Sequence, residues 1–279
     1  MNSFVEQSLK LIKTLKPFPL TVMRINALLS DPFYSVNKLI NIIRYDAALT
    51  VDLLKMANSP YFGARKKFSS IKQAVNYLGA EKIQKMIFLR SIKPYFSSYQ
   101  TYYELNEGEL WQSSVAGGLM AETLAEFLKI EDSQTIFTAS LLRDIGKIIF
   151  GKIIEKHPQK KEQIISLSDK SFDEREEILF KTTHSEIGAL VLKHWEFPQS
   201  IIDAVKYHHT PYKSELKTTH IVAFSDILVM IAGVTTSLDG LSYRGNNLQE
   251  EFDLTQKEID RIMAKSIQKY NSAVYEMEI

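Results

Sequence analysis

Apolar residues recur at helical spacing along almost the whole chain, and the pattern predicts a protein built from helices alone. Met1–Leu15 carries Phe4, Val5, Leu9 and Ile12 and is closed by Pro17 and Pro19. Thr21–Leu29 is a short second helix, and Ser35 is placed to cap a third bearing Val36, Leu39, Ile40 and Ile43. Asp46 reads as the N-cap of Ala47–Ala57, which Asn58–Ser59–Pro60 ends. Ser70 caps Ile71–Leu78, Gly79 falls at a C-terminal position, and Ala80–Lys93 runs to Pro94. The aromatic-rich stretch Tyr95–Gly108 has no clean period, so the lobe boundary is expected there, dividing the chain into 1–107 and 108–279.

The second lobe restarts with Glu109–Leu128. Asp132 caps the next helix, which the pattern carries to about Ile154. Lys152–Lys161 reads as a basic exit and Ser166–Ser171 as a polar loop. Asp173 and Glu176 have capping-box spacing for a short helix to about Lys181. His184–Trp195, Gln199–His208 behind Pro198, and the strongly apolar Lys217–Ala232 follow. Gly233–Asn247 is a loop, and Thr255 with Glu258 opens a last helix through about Lys269. No strand pattern or phosphate-binding glycine loop is visible.

The run Ala139–Lys147 breaks the hydrophobic pattern, because Arg143 and Asp144 sit side by side in an apolar helix. Burying ions is costly unless they are paired or hold a metal. The pair therefore marks a site, the remnant of one, or a structural lock. Asp226 is a second carboxylate on an apolar helix, His208–His209 ends another, and His184 opens a third. Histidines and carboxylates converging from several helices are how metal sites in helical proteins are built.

Composition changes this picture little. A net charge of +1 supplies no field for nucleic acid or an anionic membrane. The absence of cysteine removes disulfides and thiolate sites together. The N-terminus lacks the apolar core of a signal peptide and no stretch is long enough to span a bilayer, so a cytoplasmic protein is expected. The basic runs Arg65–Lys66–Lys67 and Lys152, Lys156, Lys160, Lys161 read as solvated faces. The aromatics Tyr95, Phe96, Tyr99, Tyr102 and Tyr103 read either as a docking surface or, more commonly, as packing.

The order of motifs resembles the HDOD family, the HD-related output domain of bacterial signalling proteins. Pro17–Phe18–Pro19, Asp46–Leu49, Asn58–Ser59–Pro60–Tyr61–Phe62–Gly63, Ile71, Ala74 and Leu78–Gly79 carry the likeness in the first lobe. Trp111–Ser114, Leu141–Gly146, Glu174–Arg175–Glu176, His184–Gly188, Trp195–Pro198 and His208–His209 carry it in the second. The resemblance implies an all-α fold of two tightly packed helical lobes, the C-terminal one similar to HD domains. The related HD phosphohydrolases bind metal through histidine and aspartate. By that likeness the site would fall on Ser113, Arg143, Asp144, His184, His208, His209 and Asp226. Two of those positions have changed. Serine is a poor ligand for divalent metals, and a guanidinium offers donors only.

The expectation is therefore a non-catalytic signalling or regulatory module with no catalytic residue and no cofactor. It would act through an unidentified signalling protein or a nucleotide-type small ligand, with neither nucleic acid nor membrane as a partner. No receiver, GGDEF-like or DNA-binding segment is visible, so output is expected to pass through that partner. The alternative is a metal-dependent phosphohydrolase acting on a nucleotide or cyclic dinucleotide. A single divalent ion would then be held by Asp144, His184, His208, His209 and Asp226.

Overall fold

The computed structural model describes residues 3–29, 31, 33–59, 67–97, 101–167, 169–234 and 247–278. Among them every regular element is a helix. These are α1 (Ser3–Thr14), α2 (Leu20–Leu29), α3 (Val36–Arg44), α4 (Ala47–Ala57), α5 (Ile71–Leu78), α6 (Ala80–Phe96), α7 (Glu109–Phe127) and α8 (Ser133–Leu142). They continue with α9 (Ile145–Ile154), α10 (Pro158–Ile165), α11 (Phe172–Phe180), α12 (His184–His194), α13 (Gln199–Tyr207), α14 (Lys217–Ile231), α15 (Leu248–Glu251) and α16 (Gln256–Glu278). No helix among the described residues is long and apolar enough to cross a membrane.

The chain forms two compact units, Lys16–Pro94 with Asn271–Ile279, and Met1–Leu15 with Tyr95–Tyr270. This corrects the expected division at 107 and 108. The aromatic stretch beyond Pro94 joins the second unit, and so does α1. Phe4 packs its ring 4.5 Å from Phe150 and 4.6 Å from Phe180, so burial of that face places α1 with α9 and α12.

In the smaller unit, α3 contacts α2, α4 and α5, and Leu39, Ile43 and Leu53 are fully buried. Asp46 accepts from the Leu49 amide at 3.1 Å and Ser70 from Gln73 at 3.3 Å, as their cap positions predict. Ser35 occupies its N-cap position without a side-chain bond. Asn58 brackets the backbone of Phe68, donating to its carbonyl at 2.9 Å and accepting from its amide at 2.6 Å. Pro60–Tyr61–Phe62–Gly63, Arg65, Lys66 and Tyr99 lie outside the described residues. Pro94 does not end α6, which continues to Phe96. A proline in the last turn removes one hydrogen bond, and fully burying Phe96 offsets that cost.

In the larger unit α7 is buried from Leu110 to Ala125 apart from Gln112, and it packs against α8 and α14. α12 lies against α9 and α13. The predicted single helix from Asp132 to Ile154 is two, interrupted at Arg143 and Asp144. Asp132 caps the first by accepting from Thr135 at 3.1 Å. Gly146 sits in the first turn of the second, where a Cβ would lie 1.9 Å from the His184 carbonyl oxygen. Only glycine allows α9 to start this close to α12.

Two further expectations change. The capping box of α11 is Ser171 with Glu174 and not Asp173 with Glu176, which frees Glu176 to face inward. The last helix, opened by the Thr255–Glu258 box, runs to Glu278 rather than Lys269. Tyr102 and Tyr103 are buried against Phe172, and Tyr95 meets Trp195 edge-on, so these described aromatics are packing rather than a docking face. Of the basic residues, Lys67, Lys152 and Lys156 are exposed as expected, whereas Lys160 lies over the Phe180 ring.

Candidate functional site

The interruption between α8 and α9 builds the site. Adjacent residues of a continuous helix point about 100° apart. Ending α8 at Leu142 and restarting at Ile145 lets both Arg143 and Asp144 turn into the centre of the larger unit. Arg143 is fully buried. Its Nε and Nη2 both donate to Asp226 Oδ1 on α14, at 2.7 and 2.6 Å. Nη2 also donates to Ser113 Oγ on α7 at 3.0 Å, Nη1 donates to the Ser140 carbonyl at 3.1 Å, and Nε lies 3.4 Å from Asp144 Oδ2. Ser113, expected at a ligand position, is thus an acceptor for the guanidinium.

Gly117 makes the room, because a Cβ there would meet Arg143 Nη1 at 2.0 Å. Lys147, one turn into α9, is a second buried cation. Its ammonium lies 2.9 Å from Asp144 Oδ1 and 5.1 Å from the centre of the Tyr103 ring.

Beside this ion cluster stand three buried histidines. His184 Nδ1 donates to Glu176 Oε2 at 2.8 Å, and the same oxygen accepts the His184 amide at 2.6 Å. Glu176 Oε1 accepts from the Tyr103 hydroxyl. His184 Nε2 lies 3.0 Å from His209 Nε2 and 3.5 Å from Asp144 Oδ1. His208 Nδ1 donates to the Val205 carbonyl at 2.6 Å. The structure therefore brings all seven expected residues into one unit in two adjoining groups. Ser113, Arg143, Asp144 and Asp226 form the ionic group, and His184, His208 and His209 the imidazole group. His157, His194 and His220 stand apart, with His220 bonded to Glu251. The sequence reading missed Lys147, Glu176 and Tyr103. Lys147 was visible as a lysine three residues after Asp144, and Glu176 was concealed by its spacing from Asp173.

The charges explain the protonation of the cluster. Arg143 and Lys147 pair with Asp144 and Asp226, and Glu176 faces His184. Burial opposes a charge on His184, yet Glu176, with Asp144 behind it, outweighs burial and raises the His184 pKa. Burial also opposes ionisation of Asp144, but Lys147 and Arg143 hold its carboxyl well below the usual carboxylate range. His208 is pushed far down, first by burial and then by His209, and is neutral.

The donor set divides in its fit to a metal of the HD type. Arg143 and Lys147 already hold the carboxylates that would bind it, so the ionic group does not fit an ion. The three imidazoles do fit one, since their ligand atoms all lie within 4.8 Å of one another.

These shifts have a signed consequence for stability. Below about pH 6.5 the unfolded chain gains a proton at His208 that the folded chain refuses, so stability falls with falling pH. The Asp144 contribution, fully present above about pH 3.9, is lost on further acidification. Above about pH 6.5 the folded chain keeps a proton on His184 that the unfolded chain releases, so stability falls again as pH rises through the raised value. Thermal melts in chelated buffer should peak near neutrality and decline on both sides. A flat profile from pH 5 to 8 would contradict these assignments.

Comparison with known proteins agrees with the architecture. The HDOD domain family model matches residues 15–211. An HDOD domain protein of unknown function from Geobacter sulfurreducens superposes with a TM-score of 0.72 at 25% identity, over 96% of each chain. A Shewanella amazonensis protein provisionally described as a phosphohydrolase superposes with a TM-score of 0.69 at 15% identity, covering 97% of this chain and 96% of that one. A Marinobacter aquaeolei protein provisionally described as a signal transduction protein reaches 0.73 at 18% identity, over 94% of this chain and 59% of that one. An uncharacterised protein of Treponema pallidum is 24% identical over 234 residues, which is 78% of this chain and 42% of its own length. This chain thus spans less than half of that curated relative. The family match covers most of the chain, and its helices follow the same plan: the protein belongs to the HDOD domain family.

Proposed function

We propose that this protein is a non-catalytic signal-transduction or regulatory module, acting by contact with a protein partner or a small ligand of nucleotide type. The observation that carries this reading is the Arg143 guanidinium seated on Asp226 and beside Asp144, with Lys147 on the other Asp144 oxygen. In a metal-dependent hydrolase such carboxylates hold the ion that activates water. Here fixed cations take the carboxylates' charge. An added divalent ion would meet like charge at close range, about 4 kcal/mol for each unit pair 4 Å apart at an effective dielectric of 20.

The alternative, hydrolysis of a nucleotide or cyclic dinucleotide phosphodiester, is favoured by the imidazole group alone. Nothing in that group supplies the second, carboxylate-held position. The provisional description of the Shewanella protein belongs to that protein. Turnover should be absent when the chain is supplied in turn with manganese, zinc and magnesium and assayed on a generic phosphodiester and on a cyclic dinucleotide. Metal-dependent hydrolysis that Asp144→Asn abolishes would overturn the proposal.

The arginine lock can be tested apart from activity. Arg143→His leaves Asp226 without its buried cation and should cost about 3–5 kcal/mol in urea denaturation without metal. Unchanged stability would mean that the pair holds nothing together. Gly117→Ala should cost about 1–3 kcal/mol in the native chain, because its methyl group needs the guanidinium's space. In an Arg143→Met background the same change should cost much less. Equal costs in both backgrounds would show that Gly117 does not serve Arg143.

A further inference from the structure

We infer that the outer face of α4, in the smaller unit, is a docking surface for a protein partner that presents an amphipathic helix bordered by carboxylates. The inference rests on the partner-contact part of the reading above and adds to it a surface and the chemistry of the partner.

α4 is apolar on two sides. Leu49, Leu53, Met56 and Ala57 are buried within the unit, as the inward face of an amphipathic helix should be. The outward face of such a helix is ordinarily polar. Here the exposed positions are Ala47, Ala48 and Val51, with Lys55 as their one charge. At the pitch of a helix these four positions fall within an arc of about 100°. Tyr45, just ahead of the helix, is 86% exposed, and the Arg44 guanidinium lies 5.8 Å from the centre of its ring.

The charge of the chain is divided unequally. The smaller unit has 13 lysines and arginines against 6 aspartates and glutamates, and the larger has 21 against 27. The net +1 of the chain therefore separates into +7 on the smaller unit and −6 on the larger. On α3, α4 and α5, which contact one another, Lys38, Arg44, Lys55 and Lys72 are exposed. None of the four is ion-paired among the described residues. The carboxylates of this region are already engaged, since Asp46 caps α4 through the Leu49 amide and Asp52 pairs with Arg90. The surface is thus an apolar strip with an unanswered cation at each end, Arg44 and Lys55.

That combination selects the occupant. Helical partners are read through apolar anchors at i, i+3, i+4 and i+7, and the small side chains of Ala47 and Ala48 let a second helix axis come close. Carboxylates beside those anchors would meet Arg44 and Lys55, which steers the encounter and fixes the orientation. A nucleic acid would answer the cations through its phosphates but would leave Ala47, Ala48 and Val51 uncovered. In a second copy of this chain, the exposed face of α11 sets Ile178 beside Glu174 and Glu177, one apolar side chain against the three of α4.

The test uses the full chain and fluorescent probes read by anisotropy. The first probe is a helical peptide with leucines at i, i+3, i+4 and i+7 bordered by glutamates. The second has lysines in place of the glutamates, the third is a scramble of the first, and the last is a single-stranded oligonucleotide of the same net charge. The first should bind at least about tenfold more tightly than the others and weaken between about 0.05 and 0.3 M salt. Val51→Asp and Lys55→Glu should each weaken it at least about fivefold at an unchanged Tm, because both side chains are exposed. Lys193→Glu, exposed on the larger unit, should leave it unchanged. No binding of the first peptide, equal binding of the scramble or the oligonucleotide, or an affinity indifferent to Val51→Asp overturns the inference. So does a molar mass that rises with concentration and returns to one chain in Val51→Asp, which would make a second copy the occupant. Phosphodiester turnover would instead count against the non-catalytic reading and leave this surface standing.

Discussion

A guanidinium buried without carboxylates beside it would cost this domain about 3–5 kcal/mol, and the arrangement around Arg143 follows from that constraint. Its partners come from separate elements: Ser113 from α7, Ser140 from α8, Asp226 from α14 and Asp144 from the break itself. Placing them requires α8 to end at Leu142 and α9 to restart, and α9 can restart against α12 only because residue 146 has no side chain. Gly117 answers the same demand from α7. Such a cluster is weak evidence for stability, since an apolar replacement of every member can be equally stable. What it does show is that α7, α8, α9 and α14 are tied to one another through these polar contacts.

The two halves of the site then differ in chemical character. The ionic half is closed, with each carboxylate answered by a permanent cation. The imidazole half is open, with a buried nitrogen in search of a partner and a cleft leading to His209. His184 touches both halves, lying 3.5 Å from Asp144 and 3.0 Å from His209.

Much of the fold was legible in the sequence because helical periodicity and cap residues are local signals. Asp46, Ser70, Asp132 and the Thr255–Glu258 box lie where their side-chain chemistry predicts. What was not legible depends on contacts distant in sequence. The break at Arg143 was not read because Ile145, Ile148 and Ile149 continue the apolar pattern beyond it, while the contacts made there, Arg143 with Asp226 and Gly146 with α12, join residues distant in sequence. Phe4 reads as an ordinary amphipathic residue until Phe150 and Phe180 are seen beside it. The site residues were found through their order along the chain, but their pairing was not. Lys147 and Glu176 escaped because a lysine after an aspartate and a glutamate in a helix's first turns usually face solvent.

The central claim is that Arg143 is a fixed structural cation of the ionic half without any metal. The most direct measurement is the ¹⁵N spectrum of the arginine side chains in the chelator-treated native chain. A guanidinium held on Asp226 and Ser113 should give a resolved Nε–H and hindered Nη rotation, both protected from exchange with water and unaffected by added chelator. An Arg143 signal that averages and exchanges like that of a solvent-exposed arginine would contradict it.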